Sequence, residues 1–374
     1  MWTAVGMGMK DWLPSITLAL AAQAVADLCP GSAGGPMLVT PGSATCVSES
    51  TATGTRTIFS VMDDTILDWG WLNLPTGDEL VFDFNGDHGV ANRLGPGAGH
   101  RIDGKVVGDG RLGFFADGSD LEINGSVTSD EVVVSGNRLA DPAGFLSGGS
   151  YRLEAGSGFR QISINGLVRS TDGDVVVAGD LVRVRGEASL EASGAVRVGA
   201  GGTVDVSATG QERLEANGGF GILLHLGESR ADVLELVASQ EISNAGRLDA
   251  AGGFGKVFLE VGSSGKIQNE GTGVILGQAT IRGDFDSDGV ILGFDEGDAL
   301  AVVNSSVIKL SALKDPDGRK VSRAREISTD TAMTGSADAL RKPAKKPSRL
   351  VRGDKKPLLR RQSFFGMRGG GKPE

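Results

Sequence analysis

From residue 58 onward the chain repeats one phrase: a short run of alternating apolar and polar residues, a turn marked by Asn-Gly or Gly, and a second short run. Residues 121–136 (LEINGSVTSDEVVVSG), 162–179, 181–201, 241–262 and 266–283 all read this way. Apolar residues at every second position, as in Val182-Arg183-Val184 and Val204-Asp205-Val206, predict strands, and the punctuating glycines predict turns at positive φ. Residues 229–241 (SRADVLELVASQE) carry a helix-like spacing but read equally well as two strands. Short strands recurring about every 20 residues, without hairpin signals between them, predict a solenoid whose coils stack on one another. A sandwich would need several domains with long linkers, and a propeller would want an aromatic in each blade. At about 20 residues per coil, residues 58–313 make roughly 12 coils, a rod of about 60 Å.

Composition agrees with a narrow stack. The 374 residues include 59 Gly but only 14 Phe, 4 Trp and 1 Tyr, so Val, Leu, Ile and Ala must fill the core. Collagen is excluded because glycine has no period of three and there are only 12 prolines. The net charge of −10 hides an asymmetry: residues 314–374 hold 17 Lys and Arg against 7 Asp and Glu, a balance of +10, which leaves −20 for residues 1–313. An acidic body repels nucleic acid and anionic lipid, so nucleic acid is not expected as the main partner. The tail, rich in Pro and clustered bases, reads as disordered, with an anionic polymer as its candidate ligand.

The first 26 residues read as an export signal: Lys10, an apolar stretch over 12–26, and Ala24-Val25-Ala26 as the small-x-small cleavage site, so that the mature chain starts at Asp27. The only two cysteines, Cys29 and Cys46, follow directly. In an oxidising compartment they are expected to close one loop as a disulfide, since no metal or catalytic partners stand nearby in the sequence.

Residues 66–136 go beyond generic solenoid character. Trp69 precedes Gly77-Asp78-Glu79 and an apolar strand; Asn92-Arg93, then Arg101-Ile102-Asp103-Gly104, then Gly125-Ser126-Val127 follow in order. This order resembles the secretion domain of two-partner secretion exoproteins of the filamentous haemagglutinin type. The family's Asn-Pro-Asn-Gly turn is replaced here by Phe115-Ala116-Asp117-Gly118. The resemblance implies an all-β, right-handed parallel β-helix solenoid with an N-terminal cap over 27–57, a helix body over 58–313 and a flexible C-terminal tail over 314–374. It also implies an outer-membrane pore-type transporter as partner, reading Trp69, Asn92, Arg93, Asp117 and Gly118. The expected location is outside a Gram-negative-type bacterium, secreted or on its surface. The expected role is that of an adhesin or structural protein with a cell-surface or polysaccharide ligand, and not that of an enzyme.

Three local motifs compete with that reading. In residues 284–295 (DFDSDGVILGFD), Asp284, Asp286 and Asp288, the Val290 carbonyl and Asp295 fall at positions 1, 3, 5, 7 and 12 of an EF-hand loop, with Gly289 at 6. Calcium is therefore the candidate cofactor, and a calcium-stabilised scaffold the first alternative function. Two Arg-Gly-Asp triplets, at 282–284 and 352–354, match an integrin motif that arises readily by chance in such a composition. A β-helix enzyme acting on polysaccharide would need clustered carboxylates from neighbouring coils. No spacing announces such a cluster, and His88, His100 and His225 are scattered.

Overall fold

Each strand pairs with the strand one coil later rather than with its neighbour in sequence, and this decides the architecture. The computed structural model describes residues 27–293 apart from 41, 98, 157 and 208–213, together with the backbone of strands running to Asp295 and over Asp298–Val302, Ile308–Leu310 and Ala324–Ile327. Following the chain, Thr55–Val61 lies on face 1, Thr65–Trp69 on face 2 and Asn73–Leu74 on face 3; Glu79–Phe84 then returns to face 1. Phe59 pairs in parallel with Phe82, Leu67 with Asn92 and Leu74 with Ile102. The chain is a parallel β-helix. Residues 229–241, the helix-like stretch, are strands Glu228–Ala231 and Val233–Ala238.

Strand alternation turns every second side chain inward, where Val, Leu and Ile from successive coils form one continuous core. The end of face 3 departs from this apolar rule. Its inward position is Ile102, Ile123, Ile164 and Val184 in the early coils, then His225, Asn244, Asn269 and Ser287, all four buried. His225 Nδ1 meets Asn244 Oδ1 at 2.8 Å and Nε2 meets Ser229 Oγ at 2.9 Å. Asn244 Nδ2 donates to Asn269 Oδ1 at 2.7 Å, and Asn269 Nδ2 to Ser287 Oγ at 3.0 Å. A polar spine thus runs through four coils, each member satisfied by the next, as burial demands. Burial lowers the pKa of His225 to about 4, so the imidazole is neutral.

The middle of face 2 is buried on both sides. Val132, Val133 and Val134, and likewise Val175, Val176 and Val177, are at most 1% exposed, which is why these strands read as unbroken apolar runs. The outer cover is an annex the sequence did not announce. After Glu131–Ser135 and again after Ala195–Ala200 the chain leaves the coil, and Arg138–Leu139, Tyr151–Glu154, Thr203–Val206 and Glu215–Asn217 form a four-stranded antiparallel sheet. The two excursions pair with each other, Tyr151 opposite Val206. A short helix, Pro142–Leu146, starts on Asp141, whose side chain accepts the Ala143 N–H, with Pro at its first turn. Phe145, Tyr151, Leu153, Val204 and Val206 pack on Phe115 and Val176 of face 2. The excursions lengthen the coils that carry them: Arg111 pairs with Glu131, 20 residues on, but Val132 pairs with Val175, 43 on, and Ala195 with Val233, 38 on. Among the described residues face 3 therefore holds ten strands, about 45 Å of stack, fewer than the roughly 12 coils that uniform spacing predicts.

The glycine corners need a correction of cause. Gly104, Gly125 and Gly166 stack at the turn from face 3 to face 1, and neither Gly125 nor Gly166 has positive φ. A Cβ on Gly125 would fall on the Gly104 carbonyl oxygen, and one on Gly166 would fall on the Gly125 carbonyl oxygen. Close approach of stacked backbones, not left-handed geometry, excludes a side chain there.

At the N-terminal end, Ala44–Ser50 runs antiparallel to Thr55–Val61 and Met37–Leu38 antiparallel to Thr65–Trp69, while Leu28 is buried against the core. Cys29 and Cys46 form a disulfide with 5.6 Å between Cα atoms. Parallel stacking begins with Thr55, inside the stretch expected to be cap, because one strand serves both the hairpin and the first coil. Residues 1–26, expected to be an export signal, lie outside the described residues. So does the tail, save the strand Ala324–Ile327, which pairs in parallel with Asp298–Val302 and falls within the stretch expected to be free of structure.

Candidate recognition site at the capped end

Three of the five residues singled out by the family resemblance, Trp69, Asn92 and Arg93, lie on face 2 in the first coils, and the other two, Asp117 and Gly118, lie at its edge. The strand Thr65–Trp69 buries Thr65, Leu67 and Trp69, and the strand Gly89–Leu94 buries Asn92. Trp69 Nε1 donates to Asn92 Oδ1 at 2.9 Å, and Asn92 Nδ2 donates to the Gly113 carbonyl at 3.0 Å. With Asn92 wholly buried, this pair bolts three coils together. Trp69 also lies edge-on to Phe59, which stacks on Phe82 at 5.5 Å. Trp69 and Asn92 are therefore internal supports that no partner can touch in the folded coil.

Arg93, one residue on, points outward. Its Nε and Nη2 donate to the two Asp68 carboxylate oxygens at 2.5 and 2.7 Å, a bidentate pair across adjacent coils. Asp117 and Gly118 form the turn leaving face 2, with Gly118 at φ +76°, the one conformation there that favours glycine. On face 1 the outward residues Arg56, Glu79 and Lys105 form a charged ladder, 3.1 and 2.8 Å between partners. At the third corner, Asn124 Nδ2 donates to Asp103 Oδ1 at 2.6 Å, and Arg101 Nε to Asp103 at 2.7 Å. The Arg101 pair and the Asn124 amide bring the Asp103 pKa down against the opposing effect of burial, its largest single influence. His100 accepts the Leu72 N–H on Nδ1 and donates from Nε2 to the Gly95 carbonyl; burial lowers its pKa.

Beside these polar ladders the capped end exposes apolar surface. Of the nine large apolar side chains exposed among the described residues, Met37, Val39, Val47, Met62 and Trp71 all belong to the cap or the first coil. Val47 begins a row that continues outward on face 1 through Ile58, Val81 and Val107, each in register with the last. Sequence reasoning missed this row, because alternation alone does not say which phase of a strand faces in.

The calcium loop does not form as the spacing suggested. Asp284–Ser287 is a strand on face 3, paired in parallel with Lys266–Asn269, and Val290 opens the next strand on face 1. Asp284 and Asp286 are held apart along an extended backbone, whereas an EF-hand loop must curl its oxygens around one point. The side chain of Asp295 lies outside the described residues. Among the described residues no group of three or more His, Cys, Asp or Glu is placed to hold a metal ion. Of the Arg-Gly-Asp triplets, the first lies at a corner with Arg282 paired to Glu260 at 3.2 Å; the second lies outside the described residues.

Face 1 also carries a shallow open groove of about 680 Å³, lined by Arg169, Glu191, Arg230 and Asp249 among others. These four stand in register on successive coils, so charge alternates along the groove. Arg169 pairs with Glu191 at 2.8 Å and Arg247 with Asp249 at 2.9 Å. Glu191 and Asp249 are thus each engaged by an arginine.

No family model matches the sequence, and no curated protein matches it. Among solved structures the fold is similar to the HMW1 secretion domain from Haemophilus influenzae, at 14% identity and a TM-score of 0.48 over 79% of this chain and 82% of that one. It is also similar to the filamentous hemagglutinin secretion domain, at 14% identity and a TM-score of 0.40 over 73% of this chain and 99% of that one.

Proposed function

We propose that the chain is an exported exoprotein of the two-partner secretion type. Its capped end is read by an outer-membrane pore-type transporter, and its shaft serves outside the cell as an adhesin or structural rod. The observation that carries this reading is the concentration of exposed apolar side chains at the cap, Met37, Val39, Val47, Met62 and Trp71, directly over the coils that hold the resembling residues. Exposed apolar patches mark binding surfaces, and a disulfide in that same cap suits passage through an oxidising compartment. The groove of alternating charge on face 1 suits a neutral, hydroxyl-rich polymer such as a polysaccharide, bound by hydrogen bonds without chemistry. The test is to locate the tagged chain in cells with and without the pore partner, beside a Val47→Lys/Trp71→Ser variant. Export of the parent only when the partner is present, with the variant held in the periplasm, is the expected result. A cytoplasmic parent chain, or export that ignores both partner and variant, would overturn the reading.

A further inference from the structure

Among the described residues the exposed outer side of face 3 is polar in coil after coil, with one exception. Its outward residues are Arg101, Glu122, and Gln161 with Ser163 in the early coils, then Arg183 beside the nearly buried Leu181, and Glu241 with Ser243, Lys266 with Gln268, and Asp284 with Asp286 in the late ones. Between them lies the strand Ile222–His225, whose outward residues Ile222 and Leu224 are flanked by Phe220 and Leu226, 48% and 47% exposed. Phe159 adds a fifth side chain, 49% exposed, with its ring centroid 5.8 Å from that of Phe220. Phe220, Ile222, Leu224 and Leu226 thus form an apolar band crossing the face from corner to corner.

The surroundings point to the occupant. On the three coils between the band and the C-terminal end, the outward positions of face 3 and its corner carry Glu241, Glu270, Asp284, Asp286 and Asp288 against a single base, Lys266. The chain beyond the last described strand has the matching order. Residues 341–361 hold ten Lys and Arg against one acid, Asp354, and the apolar pairs Leu358-Leu359 and Phe364-Phe365 lie at or just after the end of that run. A segment running back from the C-terminal end would lay its bases over the carboxylates first and bring its apolar pairs to the band last. The reach suffices: from Ile222 to Asp284 is three coils in register, about 15 Å. The 27 residues between Ile327 and Lys355 span about 30 Å on average even as a random coil.

We propose that the apolar band on face 3 is the docking site of the chain's own basic C-terminal segment, residues 355–368, held by Leu358, Leu359, Phe364 and Phe365 on the band and by bases over the acidic coils. The surface that the acidic body leaves apolar is then covered by its own tail, independently of what the capped end binds. The test places a photo-crosslinking amino acid at Leu226 of the full chain, an exposed position whose replacement leaves the core intact. Linkage within one chain to residues 355–368 is the expected result. It should fall at least five-fold in a variant carrying serine at 358, 359, 364 and 365, and weaken with added salt. Linkage to a second copy, linkage to any other segment, or a yield that the serine variant leaves unchanged would overturn the proposal.

Discussion

Two glycines at the same corner of the helix are expected to behave in opposite ways when replaced by alanine. At Gly125 the new Cβ would overlap the Gly104 carbonyl oxygen and come within 2.6 Å of the Asp103 carbonyl oxygen, both rigid backbone. Relief requires the coil to move away by an ångström or so, which breaks the bonds that fix its spacing: Gly125 N–H to the Ile102 carbonyl at 2.9 Å and Ser126 N–H to the Gly104 carbonyl at 3.1 Å. Two lost hydrogen bonds at about 1 kcal/mol each and about 1–3 kcal/mol of overpacking strain give a loss of roughly 3–5 kcal/mol. For a body of this size that lowers the melting temperature by about 6–20 °C. At Gly186 the nearest atom to a Cβ is the Leu226 carbonyl oxygen at 4.0 Å, and φ is not positive. Gly186→Ala should therefore be neutral or stabilise by about 0.5 kcal/mol through the unfolded chain. Far-UV circular dichroism melts of the two variants decide the matter. If Gly125→Ala melts within a degree of the parent, or Gly186→Ala is as damaging as Gly125→Ala, close stacking is not what selects glycine at this corner.

Other expectations follow from the core and the cap. Trp69→Phe removes the donor to buried Asn92 Oδ1 and should cost about 2–4 kcal/mol, in part an orphaned acceptor; adding Asn92→Leu should cost less than the two single changes summed, and additive denaturant midpoints would deny the coupling. The His225 pKa is depressed from 6.5 to about 4 in the folded chain, so its contribution is complete above pH 6.5 and is lost as pH falls to about 4, about 3 kcal/mol in all. His100, also depressed by burial, acts in the same direction. A pH series of urea midpoints should show the fall, reduced in His225→Gln; equal slopes in parent and variant would contradict it. Reduction of the Cys29–Cys46 bond, which closes a loop with a separation of 17 residues, should destabilise the cap by about 3 kcal/mol, read as earlier melting in reductant and as faster proteolysis confined to residues before Thr55.

Strands and corners were legible because a parallel coil writes its period locally: Leu121, Ile123 and Val127 alternate inward and Gly125 marks the turn within seven residues. The annex was not legible, since its pairing joins Arg152 to Asp205, 53 residues apart, and nothing local distinguishes such strands from further coils. The run Val132-Val133-Val134 does signal a second cover, but not what provides it. His225 shows the remaining ambiguity. In ILLHLG both phases of the strand are apolar, so alternation cannot say that His225 goes inside, where Asn244 and Ser229 satisfy it, and Leu224 outside. The aspartates of 284–288 misled for a related reason: a loop motif counts spacing along the chain, while the stacked coil fixes those residues in a strand.

Both excursions leave the helix at the same corner, between face 2 and face 3, after Glu131–Ser135 and after Ala195–Ala200. The corner between face 3 and face 1 is confined to two residues at Asp103-Gly104, Asn124-Gly125 and Asn165-Gly166, where carbonyls already touch the next coil. The corner between face 2 and face 3 is thus a permissive seam along which some twenty residues can enter without changing the pitch. Foreign loops of some twenty residues, whether acquired in evolution or grafted as epitopes by design, should be accommodated at that seam and rejected at Gly104, Gly125 and Gly166.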